Sequence, residues 1–84
     1  MDPEKKFATG AISATVWKNT GKTKAGEETS YRTVTLQRSY KDKSDQWQHT
    51  SSFRTSDLPK ATLVLNKAYE YLLLGGEEEE EAVL

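Results

Sequence analysis

The sequence predicts an α+β domain: an antiparallel meander of three to four strands followed by one C-terminal amphipathic helix. Three observations carry that expectation. Side chains alternate with period two over residues 11–18, 30–40 and 46–54. Polar connections rich in glycine, aspartate and lysine separate these runs. An apolar repeat of three and four then runs from Leu58 to Leu72.

Taken in order, residues 1–6 (MDPEKK) are polar and read as a flexible lead-in, with a short extra strand expected over Lys5 to Ala8. Ala11 to Lys18 puts Ile12, Ala14 and Val16 on one face and Ser13, Thr15 and Trp17 on the other, the pattern of a half-buried strand. Residues 19–29 (NTGKTKAGEET) read as a long, flexible hairpin loop. Ser30 to Tyr40 is the next strand. Val34 and Leu36 share a row with Arg32, Arg38 and Tyr40, while Tyr31, Thr33, Thr35 and Gln37 point the other way. Lys41 to Asp45 has the length of a hairpin turn. Gln46 to Arg54 then reads as a third strand with Trp47, His49, Ser51 and Phe53 on one face. The helix opens at Asp57 or Ser56 as N-cap, with Pro59 in its first turn, where a missing N–H costs nothing. Leu58, Ala61, Leu65, Ala68 and Leu72 form its stripe, widened by Val64 and Tyr71; Leu63, Leu73 and Leu74 fall outside it. Gly75-Gly76 ends it, and residues 75–84 read as a disordered acidic tail.

The 84 residues leave room for one domain, residues 7–74, with a hydrophobic content of 35% that makes a single core marginal. A surplus apolar helix face on so small a protein points to a homodimer with a two-fold helix partner. The absence of cysteine removes disulfides, thiolate nucleophiles and thiolate metal sites, and fits a reducing compartment. No apolar run approaches the ~20 residues that span a bilayer, and no signal peptide opens the chain. The expectation is a protein without a membrane partner, cytoplasmic, and nucleoid-associated if prokaryotic.

The net charge of −1 conceals a division: residues 1–76 carry 12 basic against 8 acidic residues, while Glu77–Glu81 are five acids in a row. Between residues 10 and 55 the balance is eight basic to four acidic. The basic residues there are Lys18, Lys22, Lys24, Arg32, Arg38, Lys41, Lys43 and Arg54, on strands and hairpin loops rather than on the helix. One helix can cover only one face of the sheet. The other face carries Ser13, Thr15, Trp17, Tyr31, Thr33, Thr35 and Gln37. Rings interleaved with hydroxyls suit a stacking platform for unpaired bases, flanked by cations for phosphates. The same side chains also suit cross-strand packing on an ordinary solvated face, so both readings stand on the residues alone. The tail likewise reads either as a solubilising extension or as an acidic competitor for the basic body. It has an acid-then-apolar plan similar to the tail of bacterial single-stranded DNA-binding proteins.

His49 reads as a hydrogen-bonding surface residue. No Cys, His or carboxylate cluster has metal-ligand spacing, and the GKTKAG loop lacks the spacing and following helix of a P-loop. Ser51-Ser52 beside His49 does not form a nucleophile–base pair, because strand neighbours face opposite sides. The expectation is a binding protein, not an enzyme, with no cofactor.

The stretch from Arg38 to Trp47 (RSYKDKSDQW), then a polar strand, then Ser56-Asp57-Leu58-Pro59 opening a helix, resembles the transcriptional coactivator family positive cofactor four, related in architecture to plant Whirly proteins. The likeness covers roughly residues 11–74 and rests on element order; the hairpin positions match most closely. It implies a curved antiparallel sheet with a helix, dimerisation through helices and single-stranded DNA binding across the sheets. The DNA contacts it implies fall on Trp17, Lys18, Arg32, Arg38, Lys41 and Trp47. With Tyr31 and Arg54 from the residue pattern, these form the candidate nucleic-acid-binding set. The expected function is binding of single-stranded DNA or RNA, DNA favoured, with low sequence specificity. The alternative is a protein–protein interaction module using the apolar helix face or a sheet edge.

Overall fold

The chain forms β1 (Asp2–Thr9), β2 (Ile12–Lys22), β3 (Glu28–Lys41), β4 (Trp47–Thr50), a single 3-10 turn over Thr55–Asp57, and α1 (Leu58–Leu74). The structure is a computed structural model that describes residues 2–74; Met1 and the expected acidic tail, 75–84, lie outside the described residues. The four strands form one antiparallel sheet in the order β1-β2-β3-β4, with α1 on one face, so the α+β expectation holds with four strands.

β1 is longer than the trace expected at Lys5 to Ala8, and residues 2–6, read as a flexible lead-in, belong to it. Its one large apolar side chain is Phe7, so alternation gives almost no signal. Pairing with β2 from Asp2↔Lys18 to Thr9↔Ile12 orders it instead. A register shift between Pro3 and Lys5 leaves Glu4 as the extra residue of a bulge. Gly10 turns the chain into β2 at φ +57°, a left-handed conformation that glycine adopts without strain.

The loop expected over 19–29 is also corrected. Lys22 pairs with Glu28, and the connection shrinks to Thr23–Glu27, closed by Gly26 N–H donating to the Thr23 carbonyl. Polar residues at 19–22 and 28–30 form a two-stranded arm whose hydrogen bonds need no apolar face. β4 is shorter than the strand expected over 46–54 and ends at Thr50. The chain then bends at Ser51, and Phe53 packs against the core while Trp47 and His49 do not. Ser52 N–H donates to Thr50 Oγ1, which turns the backbone away from the ladder.

The core lies between β2 and α1: Ile12, Ala14 and Val16 against Ala61, Val64 and Ala68. Phe7, Val34, Leu36, Phe53, Tyr71 and Leu72 close its rim. The expected helix stripe is therefore rotated. Val64 and Ala68 reach the sheet, whereas Leu58 and Leu65 are left exposed. Asp57 precedes α1 but its carboxylate turns backwards. Oδ2 accepts the Arg54 backbone N–H at 2.8 Å, and the Arg54 guanidinium donates to both oxygens. No helix among the described residues is long and apolar enough to cross a membrane.

Candidate functional site

Strand register decides which side chains share the uncovered face. Ile12, Ala14 and Val16 look toward α1, so their β2 neighbours Ser13, Thr15, Trp17 and Asn19 look away. Opposite them stand Gln37, Thr35, Thr33 and Tyr31 of β3. Lys6 and Ala8 join from β1, opposite Thr15 and Ser13. Ser39, Lys41, His49 and Trp47 extend the face onto β4. None of these paired positions is Asp or Glu.

The aromatic groups are fixed in different ways. Trp17 Nε1 donates to Thr35 Oγ1 at 2.8 Å, which sets the angle of the indole across β2 and β3. Asn19, buried beside it, donates to Thr33 Oγ1 at 3.0 Å. Tyr31 is 56% exposed, and its ring lies over Gly21, which has no side chain to displace it. Trp47 is 63% exposed and faces Lys41, whose Nζ lies 5.5 Å from the ring centre. The hairpin presenting that pair is built by Asp42. Its Oδ1 accepts the N–H groups of Ser44 and Gln46 at 2.8 and 3.0 Å, and its Oδ2 accepts Gln48 Nε2 at 3.1 Å. Those bonds, the Gln46 backbone first, hold the Asp42 carboxyl below its ordinary range. Asp45 completes the turn at φ 64°, a conformation Asp tolerates. His49 Nδ1 and Ser39 Oγ share a hydrogen bond of 3.1 Å, the surface role expected of this residue.

The candidate set thus divides. Trp17, Tyr31, Lys41 and Trp47 share the open face. Lys18, Arg32, Arg38 and Arg54 stand on the helix side or on the segment leading into α1, and three of these cations are engaged. Arg38, its side chain only 18% exposed, donates to the Ser52 carbonyl at 3.1 Å and pairs with Asp57. Arg54 pairs with the same carboxylate. Arg32 donates to Glu4 Oε1 at 3.1 Å, while the Tyr71 hydroxyl donates to Glu4 Oε2 at 2.6 Å. The Tyr71 bond, with Arg32 behind it, holds Glu4 below the usual carboxylate range and raises the Tyr71 phenol. The cations on the platform are instead Lys41 and Lys6. Lys6 was not singled out because β1 was barely legible.

Near the distal end of the open face, Thr35, Gln37, His49 and Ser51 border a shallow depression of about 440 Å³. On the helix side, Val34, Leu65, Asn66, Ala68, Tyr69 and Leu72 line an apolar groove of about 340 Å³. Among the described residues no three His, Asp or Glu side chains gather closely enough to hold a metal ion. The fold and this face define a class: a four-stranded antiparallel sheet roofed on one side by a single helix and open, aromatic and free of acids on the other. No family model, curated protein or solved structure matches the chain.

Proposed function

We propose that this protein binds single-stranded nucleic acid, DNA being the favoured form, with little sequence preference, and that it works as a homodimer without catalysing a reaction. The observation that supports the reading is the composition of the open face. Two tryptophans, a tyrosine and two lysines stand among hydroxyls and amides, with no carboxylate at any paired position of that face. Unpaired bases stack on Trp17, Tyr31 and Trp47, since every base has a π-face. Lys41 beside the Trp47 ring and Lys6 opposite Thr15 meet phosphates, and Lys18 and Arg32 extend that charge at the rim of the sheet. The reading agrees with the resemblance to positive cofactor four and moves the expected contacts of Arg38 and Arg54 from ligand to scaffold.

Tryptophan fluorescence tests it. Oligo-dT should quench Trp17 and Trp47, with affinity falling steeply as salt rises, and duplex of the same length should bind more weakly. Trp47→Ala should weaken oligo-dT by roughly 10- to 100-fold, in line with about 1–3 kcal/mol per stacked base. Absence of quenching at low salt, in a chain with Glu77–Glu81 changed to Gln, would exclude the reading. The apolar groove favours a second reading, a protein-docking module. A pull-down that returns one stoichiometric protein and is insensitive to nuclease would put that reading first.

A further inference from the structure

The β2–β3 ladder continues beyond the core, with Lys18 opposite Arg32 and Thr20 opposite Ser30. There Lys18, Ser30, Tyr31, Arg32 and Leu72 line a polar cleft of about 420 Å³. The cleft sits at the end of the molecule where α1 finishes, since Leu72 is two residues from the helix terminus at Leu74. A helix C-terminus carries partial negative charge, and the last turn of α1 contains no basic residue to offset it.

The sequence then places Gly75-Gly76 and five consecutive glutamates, Glu77–Glu81, directly after that terminus. Two linker residues span at most about 7 Å, so chain connectivity alone keeps the start of the run within reach of the cleft. The cations sharing a cleft with the last turn are Lys18 and Arg32, and Lys18 makes no salt bridge among the described residues. Glu4 engages only one edge of Arg32, whose side chain remains 44% exposed.

We propose that this cleft seats the chain's own Glu77–Glu81 run, which competes there with nucleic-acid phosphates. Tyr31 makes the competition local, because it lines the cleft and also stands on the open face. The competition rests on the proposed nucleic-acid function; the seat does not.

Amide spectra of the full chain and of a variant with Glu77–Glu81 changed to Gln separate the two. Resonances of Lys18, Ser30, Tyr31 and Arg32 should move between them while those of Gln37 and His49 stay. The difference should fade at roughly 0.5 M salt, where screening shortens to a few Å. Lys18→Gln, which leaves the Arg32–Glu4 pair intact, should reduce the response. The Gln variant should bind oligo-dT roughly tenfold more tightly at low salt. Shifts that are absent, or spread over the whole sheet, overturn the seat. Cleft shifts with unchanged oligo-dT affinity overturn the competition. Cleft shifts in a chain that binds no oligo-dT leave the seat standing and remove the nucleic-acid function.

Discussion

Asp57 is met by three cationic or N–H groups from two residues: the Arg54 backbone, the Arg54 guanidinium and Arg38 near the end of β3. It is buried, and the Arg54 side chain, its backbone N–H and then Arg38 hold its carboxyl below the ordinary range. A depressed carboxylate adds stability above its unfolded pKa of about 4 and loses it as pH falls through the lower folded value. Glu4 and Asp42 are depressed in the same direction. Acid unfolding should therefore begin below about pH 4. Asp57→Asn keeps the shape and removes the charge. It should lower the midpoint of thermal unfolding at pH 7 by on the order of 5 °C and flatten the loss of stability between pH 7 and pH 2. Wild-type melting at pH 7, followed by circular dichroism, would show that the network contributes nothing. The same carboxylate pairs with Arg38 and Arg54, which is why the proposed function gives those two expected contacts a scaffolding part.

Helix α1 lies close to β2 because small residues meet there, Ala61 and Ala68 against Ala14. Ala68→Leu forces extra methyl groups into that contact and should cost about 1–3 kcal/mol in urea unfolding. Thr62→Leu, on an exposed turn of the same helix, should change stability by less than about 0.5 kcal/mol. Equal effects at the two positions would mean that the helix does not sit on Ala14. The elements that build this contact were legible in the sequence because β2, β3 and α1 carry their own apolar rows. β1 was nearly invisible because Phe7 is its only large apolar residue, and β4 was overextended because Trp47 and Phe53 keep an alternating spacing across the bend at Ser51. The platform was half legible. Alternation places Trp17 and Tyr31 on the open face but groups Trp47 with Phe53, which the bend at Ser51 separates, and counting charge along the chain discards the side of the sheet. Lys18 follows Val16 in its row, and Arg32 and Arg38 flank Val34 and Leu36, so the pattern that buries those apolar residues turns all three cations toward the helix.

At the scale of the molecule, the buried apolar set among the described residues is six, three of them alanine, which is little for a stable fold. Meanwhile Leu58, Leu65, Tyr69 and Leu73 form an exposed stripe along α1, with Leu65 46% and Tyr69 61% exposed. The stripe adjoins β3, whose edge away from β2 is unpaired by β4 from Glu28 to Gln37 because β4 meets only Arg38–Lys41. An apolar helix row beside an open strand edge is self-complementary under a two-fold axis, and a second copy can cover both at once. The proposed homodimer should sediment at twice the chain mass of 9.5 kDa. Leu65→Lys with Tyr69→Lys alters only exposed positions, so the fold should persist while the mass falls to that of one chain. Two platforms on one dimer also give avidity, so a long oligo-dT should lose more affinity in this variant than a short one that spans a single platform. A wild-type chain that sediments as a monomer at micromolar concentration would leave the stripe without its partner and remove the dimer from the proposed function. Unchanged sedimentation of the double variant would move the interface elsewhere on the molecule.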